Sequence, residues 1–172
     1  MKIKTLALLG STGSIGHSTL EVVRKTKRFK VVLIIANSNY LKIISLIKEF
    51  KPKVTIINDL QIYLKIRKLN KFKKFIILNN IDTIEKYFKK IDFTVSAIPG
   101  IAGLKPTLYF VKFSKKILLA NKESIVCGWN LIKKEAKKYK TQLIPIDSEH
   151  FSISELTKRY KNQDIEKIYI TA

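Results

Sequence analysis

The chain is 172 residues long, 46% hydrophobic and 27% charged, with 34 Lys and Arg against 13 Asp and Glu and a formal net charge of +21. That length suits one domain of ordinary size, or one domain with part of another, and the hydrophobic share is enough for a real core. A single cysteine, Cys127, excludes an internal disulfide framework, and no apolar run has the length of a membrane span or the layout of a signal peptide, so a soluble cytoplasmic protein is expected.

The first apolar run, Ile3–Leu9, has the length and Leu/Ile content of a buried strand, and a helical pattern follows over Ser14–Lys25. Between and into them residues 10–16 read Gly-Ser-Thr-Gly-Ser-Ile-Gly. Strand, glycine turn and helix together point backbone N–H groups and the positive end of a helix dipole at a pyrophosphate. Gly10 is expected to make the tight turn, Gly13 to let phosphates approach the backbone, and Gly16 to allow close helix packing. Ser11, Thr12 and Ser14 add hydroxyl donors. The spacing Gly-x-x-Gly-x-x-Gly differs from the commoner Gly-x-Gly-x-x-Gly, and a structural turn is the competing reading.

The second strand, Val31–Ala36, ends at Asn37, Ser38 and Asn39. Dinucleotide folds that take NAD place an acid near here to bind the ribose hydroxyls. No acidic residue stands between Arg24 and Lys48. Asn and Ser can donate to a 2′-phosphate that a carboxylate would repel, with Lys42 as a helper, which tilts the reading to NADPH over an ordinary polar turn. Further strands are predicted at Val54–Ile57, Phe75–Leu78, Phe93–Ala97, Lys116–Leu119 and Gln142–Ile144, and further helices at Leu41–Phe50, Leu60–Leu69, Ile81–Lys89, Leu104–Phe113 and Asn130–Tyr139, with Asp82 and Asn130 as caps. Continuous apolar strands alternating with helices argue for an α/β fold, a Rossmann-like doubly wound parallel sheet. A domain boundary is expected near Pro145, giving a cofactor domain over 1–145 and the beginning of a second α/β domain over 146–172.

Two loops fall at the carboxyl edge of this expected sheet. Residues 98–103 read Ile-Pro-Gly-Ile-Ala-Gly, fitting either close passage of a dinucleotide or plain turn chemistry. Asn121, Lys122 and Glu123 follow the sixth strand, where spacing alone suggests a solvated turn. Beyond Pro145, Asp147 and Glu149 lie two apart. In an extended segment they project to one side and repel unless a proton or cation lies between them, which suits a hard ion such as Mg²⁺ or Mn²⁺. The competing reading is a helix cap at Asp147 and Ser148. Cys127 and Trp129 read as packing residues, His17 as a surface or packing residue, and His150 as a neighbour able to orient Glu149.

The positive charge is nearly all lysine, spread along the whole chain; the arginines are Arg24, Arg28, Arg67 and Arg159. Base and phosphate recognition favours arginine's fork, and no zinc-finger, helix-turn-helix or ribonucleoprotein motif is present. A lysine-coated surface encoded by an AT-rich genome accounts for the charge better than a dedicated nucleic-acid site.

Three segments carry a family resemblance: residues 10–16 with Ser18, Thr19 and Leu20; residues 118–124, Leu-Leu-Ala-Asn-Lys-Glu-Ser; and residues 145–150, Pro-Ile-Asp-Ser-Glu-His. In order and spacing they resemble the N-terminal part of 1-deoxy-D-xylulose 5-phosphate reductoisomerases, NADPH-dependent enzymes of non-mevalonate isoprenoid biosynthesis. The resemblance implies that Gly10, Thr12, Gly13, Ser14, Ile15, Asn37, Ser38, Asn39, Asn121 and Glu123 meet NADPH. It places Lys122, Ser148 and Glu149 on a sugar-phosphate substrate, with Lys122 and Glu149 catalytic, and makes Asp147 and Glu149 ligands of Mg²⁺ or Mn²⁺. The implied reaction is a metal-assisted rearrangement followed by hydride reduction, in a homodimer.

The chain departs from the family pattern at Asn37 and Ser38, where Gly and a basic residue are usual, and at Phe151 and Ser152. The family runs on beyond this length to a lid, phosphate-binding residues and a third metal carboxylate. These residues alone are therefore expected to bind NADPH without turnover. A binding module without catalysis and a basic nucleic-acid-associated protein are the rival classes.

Overall fold

The computed structural model describes residues 2–169. Seven strands, β1 (Lys4–Leu9), β2 (Phe29–Ala36), β3 (Val54–Ile57), β4 (Ile76–Leu78), β5 (Ile91–Ser96), β6 (Ser114–Leu119) and β7 (Gln142–Pro145), form one sheet in the order β4-β3-β2-β1-β5-β6-β7. Every pairing is parallel. The chain winds outward from β1 to β4, returns to lie against β1 as β5, and winds out the other way. The order thus reverses between β1 and β5, which makes a topological switch point there.

Five helices connect strands, α1 (Ser14–Thr26), α2 (Tyr40–Phe50), α3 (Leu60–Arg67), α4 (Leu104–Val111) and α5 (Lys122–Tyr139), and α6 (Ser148–Thr157) follows β7. Side chains alternate across β1: Leu6 and Leu8 meet Leu20 and Val23 of α1, Ile43, Leu46 and Ile47 of α2 and Ile66 of α3, while Ala7 and Leu9 face Phe110 of α4 and Ile84. A third cluster packs Ile132 and Ala136 of α5 on Ile117 and Leu119 of β6. Both faces of the sheet are therefore covered, and this is why its strands read as unbroken apolar runs. The doubly wound Rossmann-like arrangement is as the sequence pattern predicts.

Three local expectations fail. The helix predicted over Ile81–Lys89 is a single 3-10 turn, Ile84–Lys86. Ile81 and Ile84 are buried at helical spacing, but Asn80 Oδ1 accepts the Asp82 N–H at 3.1 Å, a local bond that competes with a helical start, and the Asp82 side chain caps nothing. The last predicted helix begins at Lys122, eight residues before Asn130, which sits exposed within it rather than capping it. Gly128 looks like a break but is a contact: a Cβ there would strike Leu104 of α4. With the helix phased from Lys122, the inward stripe is Ser124, Gly128, Ile132 and Ala136, which leaves Cys127 and Trp129 on the outer face instead of in the core. Among the described residues from Ile146 to Tyr169, no apolar one is buried.

Candidate cofactor and metal site

The glycine loop is built by tight backbone packing. Gly10 has φ +88°, and a Cβ on it would collide with the Ala97 carbonyl at the end of β5. Its N–H and that of Ser11 both donate to the Ile35 carbonyl of β2, at 3.0 and 2.9 Å, and the buried Ser11 hydroxyl adds a third bond to the same oxygen. The loop is thus tied to both neighbours of β1. Gly16 lets α1 seat on it, since a Cβ there would lie 2.5 Å from the Gly10 carbonyl. Gly13 is different: its nearest neighbour would be 3.5 Å away, an ordinary contact. Nothing inside the protein requires a glycine at 13.

Helix α1 opens at Gly13 with no side-chain cap and no acid in its first turn. By contrast Asn39, Asp59, Asn121 and Asp147 cap α2, α3, α5 and α6. The first-turn N–H groups of α1 therefore face an open edge with Thr12, Gly13, Ser14 and Ile15 half-buried or exposed around them. This cradle fits a pyrophosphate. One strand over, Asn37, Ser38 and Asn39 are exposed at the end of β2. Asn39 Oδ1 accepts the Lys42 N–H at 3.1 Å, which leaves its amide NH₂ for a ligand.

The loop after β5 and the strand-end residue Asn121 form one unit. Asn121 is 3% exposed. Its Oδ1 caps α5 by accepting the Ser124 N–H at 2.7 Å, and its Nδ2 donates to the carbonyls of Ile98 and Gly100, the latter at 2.9 Å. From below, the buried hydroxyls of Ser96 and Thr107 meet at 2.6 Å, and Thr107 donates to the Gly103 carbonyl. The solvated-turn reading of Asn121 does not survive, because its side chain is a strut that fixes residues 98–103. This strut and the Ser96–Thr107 pair escape sequence reading, since buried hydroxyls carry no periodic signal. The Asn121 cap was open to detection from Glu123 in the helix's first turn.

Lys122 and Glu123 project from the exposed start of α5. Lys122 Nζ donates to Glu149 Oε1 at 2.8 Å, bringing the start of α5, just after β6, against the first turn of α6, just after β7. The Lys122 ammonium, helped by the Ser148 hydroxyl donating to Glu149 Oε2 at 2.7 Å, lowers the Glu149 carboxyl to about 2, and Glu149 in turn raises the Lys122 ammonium. Both groups stay charged at neutral pH.

Asp147 and Glu149 do not lie in an extended segment. Asp147 is the cap of α6 and Glu149 sits in its first turn, because Asp147 Oδ1 accepts the His150 N–H at 3.0 Å and so starts the helix. The same oxygen lies 2.7 Å from His150 Nδ1. Capping uses only half of the carboxylate: Oδ2 is buried and has no partner. An orphaned carboxylate oxygen with a second carboxylate two residues along the chain is the donor chemistry a hard divalent ion takes. Among the described residues no cluster of three His, Cys, Asp or Glu exists that could enclose a metal alone. The two carboxylates are the hard oxygen donors that Mg²⁺ or Mn²⁺ takes; Glu149 now accepts from Lys122 and Ser148, so an ion there would take its oxygens from those partners and be completed by water or substrate oxygens. A cleft of about 700 Å³ between α6 and residues 165–169 has Ser148 and Glu149 on its wall.

The family model for 1-deoxy-D-xylulose 5-phosphate reductoisomerase matches residues 6–128. The reductoisomerase of Pelagibacter ubique (strain HTCC1062) is 50% identical, over 99% of this chain and 45% of its own length. That of Clostridium novyi (strain NT) is 39% identical over 99% of this chain and 46% of its own. The chain thus spans a little under half the length of these relatives. Among solved structures, a Zymomonas mobilis reductoisomerase in complex with NADPH aligns with a TM-score of 0.78 and 34% identity over 87% of this chain and 40% of that one. A reductoisomerase in complex with magnesium aligns at 0.77 and 36%, over 87% of this chain and 38% of that one. No helix among the described residues is long and apolar enough to cross a membrane.

Proposed function

The chain belongs to the 1-deoxy-D-xylulose 5-phosphate reductoisomerase family, and on that footing we propose that it supplies the NADPH-binding domain and two metal ligands for the conversion of 1-deoxy-D-xylulose 5-phosphate to 2-C-methyl-D-erythritol 4-phosphate. The observation that carries this reading is the 2.8 Å contact between Lys122 and Glu149. It joins the start of α5, beside the cofactor crevice, to the start of α6, which bears Asp147 and Glu149, as a reaction using both requires.

Each group has a role that follows from its place. Gly10, Thr12, Gly13, Ser14 and Ile15 present N–H groups and the α1 dipole to the pyrophosphate. Asn37, Ser38 and Asn39 face the adenosine ribose. Asn121 acts as a positioning residue, holding residues 98–103 beneath the nicotinamide end, while Glu123 stands exposed at the same rim. Lys122 offers a point charge and donors to substrate oxygens, and Ser148 and Glu149 stand beside it. Asp147 Oδ2 and Glu149 would hold Mg²⁺ or Mn²⁺, an ion that polarises the substrate's carbonyl and hydroxyl oxygens. NADPH, when bound, supplies the hydride.

Residues 1–145 are assigned to the cofactor domain and 146–172 to the catalytic part, a division supported by the absence of buried apolar residues among those described from Ile146 to Tyr169. A homodimer in the cytoplasm is proposed on the family resemblance. The test is equilibrium binding of NADPH followed by its fluorescence, repeated with Mn²⁺ and 1-deoxy-D-xylulose 5-phosphate present. Saturable NADPH binding is expected, with Lys122→Ala weakening sugar-phosphate binding and sparing NADPH. Failure of the wild-type chain to bind NADPH, or equal loss of both ligands in Lys122→Ala, overturns the reading.

A further inference from the structure

We infer that Lys42 is the residue that selects a 2′-phosphorylated dinucleotide in this chain, in place of a basic residue at position 38. The inference rests on the cofactor reading above and assigns its specificity to one side chain. Ser38 at the end of β2 is uncharged, so the exposed turn of residues 37–39 carries no cation of its own. Lys42 stands in the first turn of α2, where Cα–Cβ bonds tilt toward the helix N-terminus and so toward the ligand-bearing edge of the sheet. Asn39 fixes its backbone through the cap bond. Its ammonium reaches across to the Thr12 carbonyl of the glycine loop, 3.4 Å away. That places a positive charge between the pyrophosphate cradle on one side and the ribose-facing turn on the other, where a 2′-phosphate would lie.

The surroundings favour an anion there. No acidic residue occurs between Arg24 and Lys48. The nearest acid further along, Glu49 at the far end of α2, is paired with Arg24 at 2.6 Å, and the next, Asp59, has its Oδ1 engaged by the Ile62 N–H of its own helix at 2.9 Å. A second lysine, Lys65, lies 4.5 Å over the Tyr40 ring at the start of α2. The Thr12 carbonyl is a weak partner at its present distance, and a dianionic phosphate would take the ammonium from it through a stronger, charge-assisted bond.

The experiment measures NADPH and NADH dissociation constants for the 172-residue wild type, Lys42→Met and Lys42→Arg at fixed ionic strength. Lys42→Met is expected to weaken NADPH by about tenfold or more while leaving NADH within about twofold, and Lys42→Arg to keep the preference. A wild-type preference for NADPH that survives in Lys42→Met overturns the assignment of specificity but leaves the cofactor site standing. Equal weakening of both dinucleotides also overturns it, by showing that Lys42 supports the loop and does not read the phosphate. A wild type that binds neither dinucleotide defeats the site itself and the inference with it.

Discussion

Individual residues in this chain often do two things, and Asp147 shows it most clearly. One oxygen starts α6 and the other is buried without a partner. Asparagine keeps a capping oxygen, so Asp147→Asn should hold the helix and the NADPH affinity while losing most Mn²⁺ affinity; calorimetry with Mn²⁺ reads this directly. Metal binding equal to wild type would leave Asp147 a cap alone. Asp92 is a structural counterpart. Lys115 Nζ at 2.8 Å, then the Thr5 N–H and hydroxyl, both at 2.9 Å, hold its carboxyl well below the usual carboxylate range and clamp β1, β5 and β6 together. A depressed carboxylate contributes stability that is present above its ordinary value and lost as pH falls toward the folded one. Asp92→Asn should therefore cost about 1–2 kcal/mol at pH 7, with the gap to wild type closing below about pH 4. Urea unfolding across that range measures it, and a gap that widens in acid would contradict the clamp.

Among the elements, what was legible in the sequence followed from burial. Parallel strands covered on both faces are largely apolar, so all seven were visible, with β2, β5 and β6 read two residues short at their starts. Signals failed where the chain has to travel. Residues 79–90 carry it from the edge strand β4 back past β3, β2 and β1, about 19 Å at the usual strand spacing. A nine-residue helix would advance only about 13 Å, so the buried pattern at Ile81 and Ile84 is met by a turn. Asn121 gave no such pattern, because its effect runs through hydrogen bonds to residues more than twenty positions away. Removing it with Asn121→Ala should cost about 0.5–2 kcal/mol from the cap and speed amide exchange within residues 98–103. Exchange unchanged there would mean the loop stands without its strut.

For the whole molecule, the sheet order sets where everything chemical is. The switch point lies between β1 and β5, and the candidate residues from five strand ends fall along one edge of the sheet. A net charge of +21 adds a long-range attraction for anionic cofactor and substrate that salt will screen. Both effects point to a dinucleotide whose phosphates rest on the glycine loop. Gly13 isolates that claim, because its extended backbone accepts any residue and the protein has room for a Cβ there. The most direct measurement is NADPH titration of the wild type and Gly13→Val, with thermal unfolding of each alongside. Saturable binding by the wild type, lost in Gly13→Val at an unchanged melting temperature, is the expected result. Undiminished binding by Gly13→Val would place the cofactor elsewhere and contradict the site.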